Sequence, residues 1–142
     1  MTELLIKRID PELPLPAYQT AGAAAFDLSS RLDVTLPPQV MTRVPLNTVL
    51  KVPVGHMTLL VARSSLHKKG LMLGNGIGIV DEDYCGDGDE FQALLFNFTT
   101  EPVQLAKGDR IVQALVLPVQ QYAFKEVASM GVTDRGGFGS TK

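Results

Sequence analysis

Asp81, Glu82, Asp83 and Tyr84 stand together directly after the run Gly76-Ile77-Gly78-Ile79-Val80. A carboxylate placed there can polarise a water, since an aspartate is ionised at neutral pH from its reference acidity alone. The glycines let a backbone come close to a flat ligand and offer its N–H and C=O groups for pairing. An acidic run can also be a calcium loop, but the required spacing of a glycine at position six together with a glutamate at position twelve is not met. Taken alone, the segment reads as a solvated acidic turn between two strands.

A second group is cationic and hydroxylic. Arg63-Ser64-Ser65-Leu66 lies where a strand would meet a short helix, and a helix start presents unpaired N–H groups and partial positive charge. Arg63 adds a fixed fork for phosphate oxygens. Alone, the same residues make an ordinary serine cap beside a surface arginine. Gly108-Asp109-Arg110-Ile111-Val112-Gln113 is a turn entering an apolar strand. Asp27, in Ala25-Phe26-Asp27-Leu28, is either buried against an arginine or turned to solvent. The stretch Arg135-Gly136-Gly137-Phe138-Gly139-Ser140-Thr141 reads alone as a loose terminus, although it carries an isolated aromatic.

The elements that must position these groups are strands. Short apolar or alternating runs recur at Leu4 to Ile9, Leu32 to Leu36, Val40 to Val52, Met57 to Ala62, Phe91 to Phe98 and Arg110 to Val119. Nine prolines and thirteen glycines punctuate the chain, and long helical patterns are absent. The pattern predicts an all-β barrel or sandwich of ten or more short strands. One short helix is expected at Ser64 to Lys69, capped by a serine and ended by Gly70. The expected organisation is a single β-barrel catalytic domain over residues 1–132, followed by a flexible glycine-rich lid over 133–142.

Composition narrows the function. The 142 residues suffice for one domain with a real core, and 45% of them are hydrophobic. A net charge of −2 argues against general nucleic-acid binding, yet not against a nucleotide, which needs only a local cluster of donors. No apolar run is long enough to span a bilayer, and the N-terminus lacks signal-peptide features, so no membrane partner and a cytoplasmic location are expected, bacterial or phage-encoded. Cys85 is the single cysteine, and His56 and His67 have no partner cysteine, which makes a zinc site improbable.

These five segments, in this order, resemble the five motifs of the trimeric dUTP pyrophosphatases. The resemblance covers almost the whole chain. It implies a jelly-roll-like distorted β-barrel, a homotrimer with shared active sites, and magnesium-dependent hydrolysis of dUTP to dUMP and pyrophosphate. That activity limits uracil incorporation into DNA and supplies dUMP for thymidylate synthesis.

By the same resemblance, Asp81 orients the attacking water and the ring of Tyr84 lies against the deoxyribose, leaving no room for a 2′-hydroxyl. Asn75 and the backbone of Ile77, Gly78, Ile79 and Val80 match the hairpin that reads the uracil edge, with Gln92 on the adjoining strand. Arg63, Ser64 and Ser65 match the phosphate-binding segment, and Gln113 the glutamine near the α-phosphate. Asp27 matches the acid of the first motif, which touches magnesium through water. Phe138 matches the aromatic that stacks over the base, while Gly139, Ser140 and Thr141 close on the γ-phosphate. Arg135 would be the arginine finger, but it stands closer to Phe138 than the family pattern places it. The stretch Asp87-Gly88-Asp89-Glu90 lengthens the hairpin tip, and Ala25 replaces a usual glycine.

The family resemblance leaves two alternatives. A dCTP deaminase-like enzyme would need a glutamate at the cytosine amino carbon, and Glu90 in the lengthened tip does not match that place. The other is a catalytically silent nucleotide-binding regulator on the same fold.

Overall fold

The computed structural model describes residues 3–139, which form eleven antiparallel strands and one short 3₁₀ turn. The all-β, jelly-roll-like architecture expected from the sequence is present. The strands are β1 (Leu5–Arg8), β2 (Phe26–Ser29), β3 (Val34–Leu36), β4 (Met41–Pro45), β5 (Thr48–Lys51) and β6 (His56–Ala62). After the 3₁₀ turn Leu66–Lys69 come β7 (Leu71–Leu73), β8 (Gly78–Val80), β9 (Gln92–Asn97), β10 (Val103–Leu105) and β11 (Arg110–Pro118). One sheet has the order β2-β11-β6-β8 and another β4-β9-β7, while β1 pairs with β5 and β10 with β3.

Alternation sets which face each strand buries. Ala93, Leu95 and Asn97 of β9 point inward while Gln92, Leu94 and Phe96 lie on the more exposed side, the period of two expected of a half-buried strand. In β2, Phe26 and Leu28 enter the core, so Asp27 and Ser29 face the other way. The core also takes Leu36, Val44, Leu50, Phe91 and Ile111, all nearly or fully buried. Burial of each such side chain is worth about 1.5–3 kcal/mol before entropy is counted.

Three local features differ from the sequence expectation. The run Val40 to Val52 is two strands, because Asn47 adopts a left-handed conformation (φ 61°) after Leu46 and turns the chain. The expected helix is a single 3₁₀ turn. Gly70 does end it in the left-handed conformation, but the side chain of Ser65 makes no capping hydrogen bond. Strands β2, β7, β8 and β10 lay outside the expected runs, since each is only three or four residues long, and all but the wholly apolar β7 carry polar or glycine positions.

In β11 the register against β2 shifts between Arg110 and Val112, a β-bulge marked by the consecutive buried residues Ile111 and Val112. Beyond this strand the chain leaves the body. Every residue from Pro118 to Gly139 is exposed and none after Pro118 is in a strand. The boundary expected near residue 132 therefore falls within a longer exposed arm.

Candidate active site

Asp27 organises the cationic half of the site. Its carboxylate is nearly buried and accepts from Arg63 Nε at 2.9 Å through Oδ1 and from Arg110 at 3.1 Å through Oδ2. Arg63 also donates to the carbonyl of Arg110 at 3.3 Å. The bulge makes this possible. Residues 110 and 113 would lie on opposite faces of a regular strand, but the extra residue brings both to the face of Asp27. Gln113 accordingly pairs in register with Asp27, and its side-chain amide donates to the Ala62 carbonyl at 3.0 Å. Ser64 and Ser65 follow Arg63 at the entry to the 3₁₀ turn, exposed and half-buried respectively. Arg110, passed over as a candidate in the sequence, is thus part of the cluster. The two adjacent apolar residues after it were the available signal.

The acidic half lies elsewhere. β8 pairs with β6 on one side only and forms the edge of its sheet, so its outer row of N–H and C=O groups has no strand partner. Gly76, with φ 70°, makes the turn that leads from Asn75 into this edge. Gly78 is also small for the sake of packing. A Cβ there would come 3.1 Å from Leu60 Cβ, so its lack of a side chain serves the packing of β8 on β6. Ile77 and Ile79 are exposed, and Ile79 lines an open depression of about 870 Å³ with Asp81, Glu82, Asp83, Val119 and Gln121.

Asp81 follows the edge strand directly and is exposed, and its carbonyl accepts from the Tyr84 N–H at 3.2 Å, which closes a turn between the two residues. Glu82 is more than a solvated neighbour, because its carboxylate accepts the Gly55 N–H at 2.6 Å and ties the turn to β6. The hydroxyl of Tyr84 and the amide of Gln92 both reach the Glu90 carbonyl, at 3.3 and 3.5 Å. The carboxylate of Glu90 is buried against Arg31 and the Asn47 N–H, and this leaves it unfit for the role a deaminase would require.

The two halves do not meet within one chain. Val80 pairs with Thr58, and Arg63 follows Ala62 at the far end of β6, so Asp81 and Arg63 are separated by roughly 20 Å along the strand at ~3.3 Å per residue. Arg135, Phe138 and Gly139 sit on the exposed arm, with Phe138 fully open to solvent. Ser140 and Thr141 lie outside the described residues.

Among the described residues no group of three or more His, Cys, Asp or Glu could hold a metal ion. Both oxygens of Asp27 are engaged by guanidinium groups, though each retains lone pairs for a water. This donor set suits magnesium carried on a triphosphate and kept hydrated, not an ion caged by the protein.

A family model described as dUTPase matches residues 11–142. The chain belongs to the dUTPase family. It is 39% identical over 148 aligned positions to a deoxyuridine 5′-triphosphate nucleotidohydrolase of Dictyoglomus turgidum, with 99% of each chain covered. It is 41% identical to the protein of that name from Methylocella silvestris, covering 96% of this chain and 89% of the other. Among solved structures it resembles the dUTPase of Streptococcus mutans, with a TM-score of 0.77 at 29% identity over 84% of this chain and 98% of that one. The dUTPase of Staphylococcus bacteriophage 80alpha with dUPNHPP has a TM-score of 0.87 at 20% identity, covering 100% and 99% of the two chains, and speaks to the fold alone. No helix among the described residues is long and apolar enough to cross a membrane.

Proposed function

We propose that this chain hydrolyses dUTP to dUMP and pyrophosphate in sites shared between copies of a homotrimer. The observation that carries the reading is the placement of Asp81 just past the unpaired edge strand β8, in one turn with Tyr84, in a chain of the dUTPase family. The free backbone edge from Ile77 to Val80, with Asn75, pairs with the uracil. Cytosine, whose amino group stands where uracil has an acceptor, leaves a donor unpaired and is rejected. Tyr84 rejects ribose by shape.

Asp81 holds a water in line with the α-phosphorus and takes its proton as the water oxygen bonds to phosphorus. The bond to the bridging oxygen breaks, and pyrophosphate carries away the electron pair. Arg63, Ser64, Ser65 and Gln113, supplied by another copy, stabilise the charge that builds on the leaving group. Asp27 aligns the two arginines, and any contact it makes with magnesium is through water. A magnesium ion bound to the triphosphate would supply charge neutralisation there. Phe138 stacks over the base while Arg135, Gly139, Ser140 and Thr141 close on the phosphates, so the arm acts as a lid. The reading places the protein in the cytoplasm, with its nucleotide substrates.

The test is pyrophosphate release with magnesium from dUTP, dTTP, dCTP and UTP. Turnover confined to dUTP is the expected result, and ammonia release from dCTP or comparable turnover of all four would overturn the reading.

A further inference from the structure

Glu90 takes no part in the chemistry above, yet its carboxylate is buried and fully engaged. Oε1 accepts from Arg31 Nε at 2.7 Å and from the Asn47 N–H at 2.8 Å, and Oε2 accepts from the second arm of Arg31 at 3.1 Å. The bidentate fork fixes orientation as well as distance. The Glu90 carboxylate beside Arg31 also raises the guanidinium's already high pKa, against the opposing effect of burial. Asn47 is pinned in turn, with its side chain bonded to both backbone groups of Asp10. Phe91, the next residue, is 1% exposed and anchors the same point in the core.

The opposite side of this residue faces the site. The Glu90 carbonyl accepts the Tyr84 hydroxyl. Between the two residues the chain makes a small closed turn, in which the Asp89 carboxylate accepts the Gly86 N–H at 2.7 Å and the Asp89 N–H donates to Gly86 at 2.9 Å. The extra length at the hairpin tip is therefore absorbed locally, and the chain returns to Glu90 beside the tyrosine. Tyr84 is 41% exposed, so packing alone leaves its ring free to swing. A ring that rejects a substrate by shape must be held, because a yielding wall discriminates weakly.

We propose that the Arg31–Glu90 pair is the positioning device for Tyr84. It immobilises the carbonyl to which the phenol hydroxyl is tethered, and thereby sets the ring against the sugar. The inference rests on the sugar-facing role of Tyr84 given above. Arg31 and Glu90 are positioning residues, and neither touches the nucleotide.

The test compares kcat/KM for dUTP and UTP in the full-length protein, alongside its melting temperature. Glu90→Gln keeps the shape but loses the charge-assisted fork, and Tyr84→Phe keeps the ring but cuts its tether. Each is expected to lower the dUTP-to-UTP ratio about tenfold, the scale of one lost hydrogen bond at its upper range. Arg31→Lys, which retains charge without the fork, should fall between. A purely structural pair would lower the melting temperature and leave the ratio unchanged, and that result overturns the proposal. If Glu90→Gln does not fold, Arg31→Lys, which breaks the fork with Glu90 in place, decides the matter. An unsubstituted protein that ignores dUTP would instead overturn the reading of the site itself.

Discussion

Asp81 and Arg63 stand at opposite ends of β6, the one just past the residue that pairs with Thr58 and the other just past Ala62. A water held by the first cannot reach a phosphate held by the second in the same chain. In the proposed reaction, where both act on one nucleotide, Asp81 of one copy works with Arg63 of another.

Mixing two inactive variants tests that arrangement. Asp81→Asn and Arg63→Ala should each lose activity on the order of 100-fold or more while remaining assembled. When the two are unfolded and reassembled together in equal amounts, random exchange leaves about a quarter of the sites with both native groups. Recovery toward that level of turnover is expected. No recovery, with mixed assemblies demonstrated by mass, would place both groups within a single chain.

Asp27→Asn should cost both stability and catalysis. The neutral amide leaves both guanidinium groups without a charged partner, and its single acceptor oxygen can serve only one of the two sites they now occupy. The carboxylate is nearly buried but both arginines are partly solvated, which moderates the penalty to about 2 kcal/mol. Urea denaturation would read that loss. Steady-state kinetics should show KM rising together with the fall in kcat.

Gly70→Ala tests the support of the phosphate segment. Gly70 has φ 76°, and a Cβ there would collide with the Thr99 side chain. A loss of about 1–2 kcal/mol is expected in thermal or urea unfolding. A variant as stable as the parent would mean that the 3₁₀ turn tolerates another ending.

Acid and alkali should act on the tie between Asp10 and Lys107, whose ionised groups lie 2.6 Å apart. Hydrogen bonds from Lys107 and from the backbone of Glu12 hold the Asp10 carboxyl below its ordinary value of 3.8. Its contribution is present above that value and fades as pH falls through the lowered one. Hydrogen bonds to Asp10 and Glu12 raise Lys107 above 10.5, so its contribution is full below 10.5 and fades as pH rises through the raised value. The stability difference between the parent and Lys107→Met should be flat from about pH 5 to 9 and shrink at both extremes. A difference that varies near neutrality would rule this tie out as its source.

Deleting residues 133–142 removes Arg135 and Phe138 and touches no strand among the described residues. The melting temperature should hold, while kcat/KM for dUTP falls on the order of 100-fold as the lid and its donors are lost. Intact turnover in the truncated protein would remove the arm from the mechanism.

Much of this was legible in the chain itself. Short apolar runs broken by glycine and proline announce strands, because residue types alone decide local period and turn chemistry. Asp81 after a glycine-spaced run, and Arg63 before two serines, were visible as chemical units since each lies within a few residues. β8 lay outside the apolar runs because two of its neighbours in the turn and one of its own residues are small or polar, and its place as an edge strand comes from pairing with β6. Glu90 looked like part of a loose tip. Only Arg31, far away in the chain, shows it to be an anchor.

Sequence by itself determined the class of fold, the order of the motifs and the chemical type of each group, since these depend on local composition and spacing. Tertiary structure decided which groups share a place. The bulge that turns Arg110 and Gln113 toward Asp27, the tether from Tyr84 to Glu90 and the separation of Asp81 from Arg63 all arise from strand register. Register is fixed by pairing between distant segments and by which face each buries, so no window of neighbouring residues contains it.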